Sequence, residues 1–253
     1  MKKFLSGLTN LVKYVIFRIT KSEVIIENYF LGHRKFYCSS RVEFFRTANY
    51  GNEETFLGAF NYLIAEKDII YDIGASIGIV SIYSAPYVKR VLAFEPDNEI
   101  FSKLERNIAL NGYENIVHPY NFGISDSEDE VSLNSDGVDG YSPSLSNLNR
   151  HSKSKEIKVK SIDYLIEEMD FPLPTVLKID IEGAEILALR GANNLLSSSD
   201  KPRLLFIEVH PTFLEDYGSS SEEIKELVLN YNYKIITFSK RDDQVHLTAI
   251  RND

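Results

Sequence analysis

The stretch Tyr71-Asp72-Ile73-Gly74-Ala75-Ser76-Ile77-Gly78 follows the β-branched pair Ile69-Ile70 and leads into a second apolar run. A strand that ends in a glycine-rich turn and passes into a helix lets a ligand approach the backbone and meet free helix N–H groups. The glycines here are spaced G-x-x-x-G, whereas a dinucleotide-binding turn reads G-x-G-x-x-G and offers its helix to a pyrophosphate. Asp72 at the end of the strand would repel such an anion. A positively charged ligand without phosphate suits the turn better, and Asp72, Gly74, Ala75, Ser76 and Gly78 are the residues expected to touch it. The plainer alternative is a tight turn whose glycines serve only helix–sheet packing.

Working outward, Val91-Leu92-Ala93-Phe94-Glu95-Pro96-Asp97 is an apolar strand ending in a carboxylate, with Glu95 seventeen residues after Gly78. An acidic side chain at the end of a second strand can accept hydrogen bonds from both hydroxyls of a ribose. Glu95 is therefore expected to be a ribose clamp beside Pro96, while Asp97 is placed to cap the next helix. A phosphate-free turn beside a ribose clamp points to S-adenosylmethionine, which carries an ammonium and a sulfonium. Asn107, in the run Arg106–Gly112 that closes that helix, and Gly123, after the third strand where an adenine edge would lie, complete the expected cofactor set.

From residue 67 short β-branched runs alternate with helix-like stretches, the pattern of a parallel sheet with covering helices. Strands are expected at Ile69–Ile73, Val91–Glu95, Ile116–Tyr120, Val176–Asp180, Leu204–Val209, Lys234–Phe238 and Val245–Ile250, and helices at Ile77–Tyr87, Asn98–Leu110, Ala184–Leu196 and Ser221–Leu229. The last two strands flank the polar turn Ser239–Gln244, short enough for a hairpin. A seven-stranded Rossmann-like α/β sheet with helices on both faces and a terminal antiparallel hairpin is the class I methyltransferase topology. Nicotinamide-binding sheets usually stay parallel to the edge, which makes a nicotinamide or nucleotide-sugar enzyme the weaker alternative. Residues 124–155 form a long insertion, acidic and then Ser- and Asn-rich from Tyr141, expected to be a lid or a disordered loop.

Residues 1–49 read as a helical and mixed extension, and 50–253 as the catalytic domain. The first turns are cationic (Lys2, Lys3, Lys13, Arg18, Lys21), with no acidic residue before Glu23. Phe4, Leu5, Leu8, Leu11, Val12 and Val15 recur at helical spacing, but the run is too short and interrupted to span a bilayer or act as a signal peptide. Such a helix either packs onto the domain or lies on an anionic membrane surface. Over 253 residues the net charge is −9, which disfavours nucleic-acid partners, and the single cysteine, Cys38, fits a reducing, cytoplasmic setting, peripheral at the membrane if the helix lies there.

The set Asp72–Gly78, Phe94-Glu95-Pro96, Asn107 with Asn111-Gly112, Val159–Asp163, Leu177-Lys178-Ile179-Asp180-Ile181-Glu182-Gly183-Ala184-Glu185 and Ile207-Glu208-Val209-His210-Pro211 resembles the FkbM family of S-adenosylmethionine-dependent methyltransferases over roughly residues 50–250. That resemblance implies O-methylation of a hydroxyl on a saccharide, glycan or natural product, and Glu53 or Glu54 resembles the acidic residue that the family carries before the first motif. A methyltransferase fold kept only as a cofactor-binding module is the competing reading.

Methyl transfer is an in-line displacement that needs the acceptor oxygen about 3 Å from the methyl carbon and a group to take its proton. In a doubly wound sheet ligands bind beyond the carboxyl ends of the strands, where the fourth and fifth strands place Asp180, Glu182, Glu208 and His210. Asp180 is expected nearest the donor, with His210, Glu208 or Asp180 as base. Glu185 could equally serve the dipole of the following helix. Asp180 and Glu208 could bind a divalent cation, but none is expected; the acceptor is a small molecule or saccharide, and oligomeric state is not encoded legibly.

Overall fold

A computed structural model of the chain describes residues 2–20, 22–49, 54–135, 153–241 and 243–252. Its N-terminal part runs α1 (Lys2–Thr20), an antiparallel pair β1 (Val24–Asn28) and β2 (Arg34–Cys38), then α2 (Arg41–Asn49) and α3 (Glu54–Leu63). The sheet begins with β3 (Ile69–Ile73), α4 (Ile79–Ser84), β4 (Arg90–Phe94), α5 (Asn98–Asn111) and β5 (Val117–Tyr120). After these come β6 (Gly123–Ile124), β7 (Asp129–Ser135), β8 (Lys153–Lys160) and α6 (Ile162–Glu167). The C-terminal half holds β9 (Val176–Ile179), α7 (Glu185–Arg190), α8 (Asn193–Ser197), β10 (Leu204–Val209), α9 (Pro211–Leu214), α10 (Ser221–Asn230), β11 (Tyr233–Arg241) and β12 (Gln244–Arg251).

The main sheet has the order β11-β12-β10-β9-β3-β4-β5. Five strands from β10 to β5 are parallel, and β12 runs antiparallel to both β10 and β11. The chain turns from one half of the sheet to the other beside β3, so the switch point opens between the carboxyl ends of β3, β4 and β9, where ligands bind in open α/β sheets. This is the class I methyltransferase arrangement.

Side chains alternate across the sheet with period two. Tyr71 and Ile73 of β3, with Leu92 and Phe94 of β4, join one apolar cluster, while Ile70, Val91 and Ala93 join the cluster on the opposite face. Phe36 of β2 and Leu57 and Phe60 of α3 enter that second cluster, so the N-terminal segment helps to cover one face of the sheet. Asn107 fixes it there: its Oδ1 accepts from Tyr37 N at 2.8 Å, and Asn111 exchanges hydrogen bonds with both the N–H and C=O of Lys35 at 3.0 and 2.8 Å.

Local chemistry accounts for the departures from the expected helices. The first begins at Ile79 rather than Ile77 because Ser76 (φ 51°) and Gly78 (φ 91°) sit in the left-handed region and keep the turn out of helical geometry. The third is broken at Gly191, whose backbone approaches Ser125 so closely that a Cβ would lie 2.1 Å from the Ser125 carbonyl oxygen. As capping residues, Asp97 accepts from the N–H of Glu99 and Ile100, and Ser220 accepts from Glu223. The insertion at 124–155 is not simply a loop: its flanks build a three-stranded sheet, β6-β8-β7. Residues 136–152, with most of the Ser- and Asn-rich stretch, lie outside the described residues, as does Glu53, and the side chain of Glu54 is not described.

Candidate active site

β3 ends in Gly74, where φ is 76° and a Cβ would lie 1.9 Å from the Asp180 carbonyl oxygen. Only glycine lets the end of β3 meet the end of β9 this closely. The cleft above that contact spans about 770 Å³, the open space at its mouth included. Gly74 and Ser76 form its floor, Glu95 and Pro96 one side, and Asp180 and Glu182 the other. Ile100, Gly123, Ile124 and, from the insertion sheet, Leu133, Ile157 and Val159 make an apolar slot at one end. An adjoining recess of about 550 Å³ is bounded by Ala75, Phe56, Lys178 and Glu208, and Arg46 of α2 borders both spaces.

Glu95 is buried, and its two oxygens accept from Ser76 N at 3.0 Å and Asp97 N at 2.9 Å. Burial pushes its pKa up to about 7 against the pull of those two N–H donors. Asn121 braces the same corner by donating to the carbonyls of Glu95 and Pro96 at 3.0 and 3.1 Å.

Asp72 departs from the expectation. It is fully buried under the turn, where Ser81 Oγ donates to it at 2.6 Å and Lys178 Nζ lies 3.1 Å away. Asp72 and Lys178 are register partners on neighbouring parallel strands, which is why the two meet. Lys178 also donates to Gly74 O at 3.0 Å and stands 3.5 Å from Asp180. Burial opposes its charge, but Asp72 and Asp180 outweigh it and raise the ammonium above its ordinary value. The pair thus braces the glycine turn rather than facing a ligand. Asn107 and Gly78 are corrected likewise: Asn107 is fully buried and donates to Ile77 O at 2.9 Å, and a Cβ on Gly78 would meet Leu104 at 2.7 Å, so both serve packing.

On the other side of the cleft a carboxylate cluster surrounds His210. Glu185, fully buried, faces His210 Nδ1 at 2.8 Å and accepts from Gly183 N at 2.9 Å. Glu182 lies 3.4 Å, and Asp180 and Glu208 each 3.9 Å, from Nε2. Burial works against a charged imidazole, yet the Glu185 hydrogen bond and the charges of Glu185, Glu182 and Asp180 hold its pKa up to about 10. His210 thus sits among carboxylates that favour its charged form, while the amide nitrogen of Gln244 lies 3.2 Å from Nε2. Asp180 moves the other way: despite burial, Lys178, His210 and Arg46 hold its carboxyl below the usual range. Ligand atoms of Asp180, Glu182 and His210 lie within 4.8 Å of one another, a set that could hold a divalent ion.

Glu182 sits in the left-handed region (φ 50°), followed by Gly183 (φ 101°), where a Cβ would lie 2.3 Å from Phe213 Cβ. A non-glycine residue held in that conformation at a cleft marks a site whose surroundings over-determine the backbone. Arg46 and Lys178 are site residues that the motif reading did not single out, the first because no pattern links α2 to the sheet. The arrangement could hold a nucleoside: a flat base in the apolar slot, two ribose hydroxyls on Glu95, and a cationic group near Asp180. No phosphate cradle is needed for such a ligand.

A family model described as the methyltransferase FkbM domain matches residues 72–235. The chain belongs to the FkbM methyltransferase family. Among relatives of this FkbM-family protein, the hexuronic acid methyltransferase AglP of Haloferax volcanii is 29% identical over 193 residues, covering 74% of this chain and 73% of that one. The AMB antimetabolite synthetase AmbE of Pseudomonas aeruginosa is 23% identical over 205 residues, 66% of this chain but 10% of that one. Among solved structures, M. capricolum TrmK in complex with S-adenosyl-homocysteine aligns with TM-score 0.47 and 12% identity over 78% of this chain and 68% of that one.

Proposed function

We propose that this methyltransferase uses S-adenosylmethionine to O-methylate a hydroxyl of a saccharide or natural product. The observation that carries the proposal is that Glu95, Gly74 and Asp180 line one cleft at the switch point, in an order that suits ribose, methionyl chain and cationic centre. The hexuronic acid relative favours a saccharide acceptor. S-adenosylmethionine, when bound, supplies the electrophilic methyl group.

The chain's own residues do the rest. Asp180, kept ionised by Lys178 and His210, holds negative charge beside the donor's positive groups. Glu182, 3.4 Å from His210 Nε2 and facing the cleft, takes the proton from the acceptor hydroxyl. Positioning of the acceptor supplies most of the rate.

Glu95→Ala should weaken S-adenosylmethionine or S-adenosylhomocysteine binding by at least about tenfold, since hydrogen bonds to a charged group contribute about 1.5–3 kcal/mol. Calorimetric titration of both proteins checks it, and unchanged affinity would remove Glu95 from the site. With the carboxyl pKa near 7, wild-type affinity should also decline as pH falls through that value and the hydrogen-bonding anion is lost.

Arg46 brings a cation to the edge of an otherwise acidic cleft and makes no hydrogen bond or ion pair among the described residues, though its charge reaches Asp180. It is suited to a carboxylate, either the donor's own or that of a uronic acid acceptor. Arg46→Ala should weaken S-adenosylhomocysteine binding about tenfold in the first case. In the second it should leave that binding intact and raise KM for a uronate about tenfold more than for the neutral sugar. Neither change would leave Arg46 outside the site.

A further inference from the structure

Two faces of α1 carry opposite chemistry. One face binds the body of the protein: Asn10 is buried and donates to Glu27 O at 2.7 Å, and the Tyr14 ring lies 4.4 Å from that of Phe44 in α2. The other presents Leu11, Val12, Val15, Ile16 and Ile19, between 46% and 76% exposed. At 3.6 residues per turn these five fall within an arc of about 140°, nearly opposite the packed face. Arg18 lies about 20° beyond one edge of that arc and the half-buried Lys13 about 60° beyond the other. A helix packed as part of the core would bury its apolar stripe; here the polar and aromatic side is inward and the stripe faces out.

Charge selects what covers it. Residues 1–22 contain five cations and no anion, in a chain of net charge −9. All 37 acidic residues lie beyond them. An apolar stripe edged by Lys and Arg matches the boundary of an anionic bilayer, where aliphatic side chains enter the acyl region and the cations meet headgroups. No described helix is long and apolar enough to cross a membrane, so the helix would lie in the interface plane.

We propose that α1 is a peripheral membrane-docking surface that seats the protein on anionic phospholipid, independently of what its cleft transfers. The full-length chain is to be sedimented with vesicles of phosphatidylcholine and phosphatidylglycerol in equal parts, and with pure phosphatidylcholine. Wild type should pellet with the anionic vesicles and be released by salt. Val15→Asp with Ile19→Asp should weaken that binding by about a hundredfold. Lys13→Glu with Arg18→Glu should weaken it about tenfold and remove the preference for anionic lipid. Both pairs of positions are at least partly solvent-exposed, and an unchanged melting temperature will show that the variants remain folded. Wild type that ignores both vesicle types overturns the proposal. So does a wild-type dimer in light scattering that the Val15→Asp/Ile19→Asp variant converts to monomer without any vesicle binding, because the stripe would then belong to a second copy.

Discussion

Asp180→Asn should lower kcat by about 10²–10⁴-fold and weaken donor binding at the same time. The substitution is nearly isosteric, so what it removes is charge. Lys178 at 3.5 Å, His210 at 3.9 Å and the guanidinium of Arg46 then face a neutral amide, and the cleft loses a negative charge beside a donor that is itself positive. Turnover measured with saturating S-adenosylmethionine and a uronate or other acceptor active with wild type, beside calorimetry with S-adenosylhomocysteine, separates the two losses. Glu182→Gln, by contrast, should lower kcat with donor affinity intact. Wild-type turnover in the Asp180 variant would move the reaction centre elsewhere.

His210→Ala should destabilise the protein by about 3–5 kcal/mol, the usual cost of removing one partner from a buried ion pair. Glu185 would keep its bond from Gly183 but lose the 2.8 Å contact with the imidazole, leaving a carboxylate with no exposed surface uncompensated. Chemical denaturation checks the magnitude. The pH dependence checks the cause: a histidine whose pKa is raised from 6.5 to about 10 contributes stability in full below its unfolded pKa and loses it as pH rises through about 10. The difference in unfolding free energy between wild type and His210→Ala should therefore be full below about pH 6.5 and shrink as pH rises from there to about 10. A difference that vanishes already near pH 6.5 would mean that the histidine is neutral in the fold.

Much of this site could be read from residues alone because its chemistry follows local punctuation. Gly74, Glu95 and Asp180 each close an apolar run, and a parallel sheet gathers the carboxyl ends of such runs at one edge. Roles that depend on register could not be read. Asp72 looks like a ligand until β3 and β9 are aligned and Lys178, 106 residues later, becomes its neighbour. Nothing around His210 in the chain tells that Glu182 and Glu185 from the preceding βα turn and Asp180 from the end of β9 converge on it. The apolar wall that Leu133 and Ile157 make with Val159 stayed hidden because the acidic and serine-rich composition around it reads as loop, and its three strands pair only with one another.

That small sheet is tied to the main body at both ends of its β7–β8 ladder: Lys155 of β8 pairs with Asp97, which caps α5, at 2.7 Å, and Ser161 donates to Glu128 at 2.6 Å. Between those ties it supplies the cleft with Leu133, Ile157 and Val159. Substitutions at Leu133, Ile157 and Val159 would therefore reshape the apolar end of the cleft while Glu95 and Asp180, carried by the main sheet, keep their places.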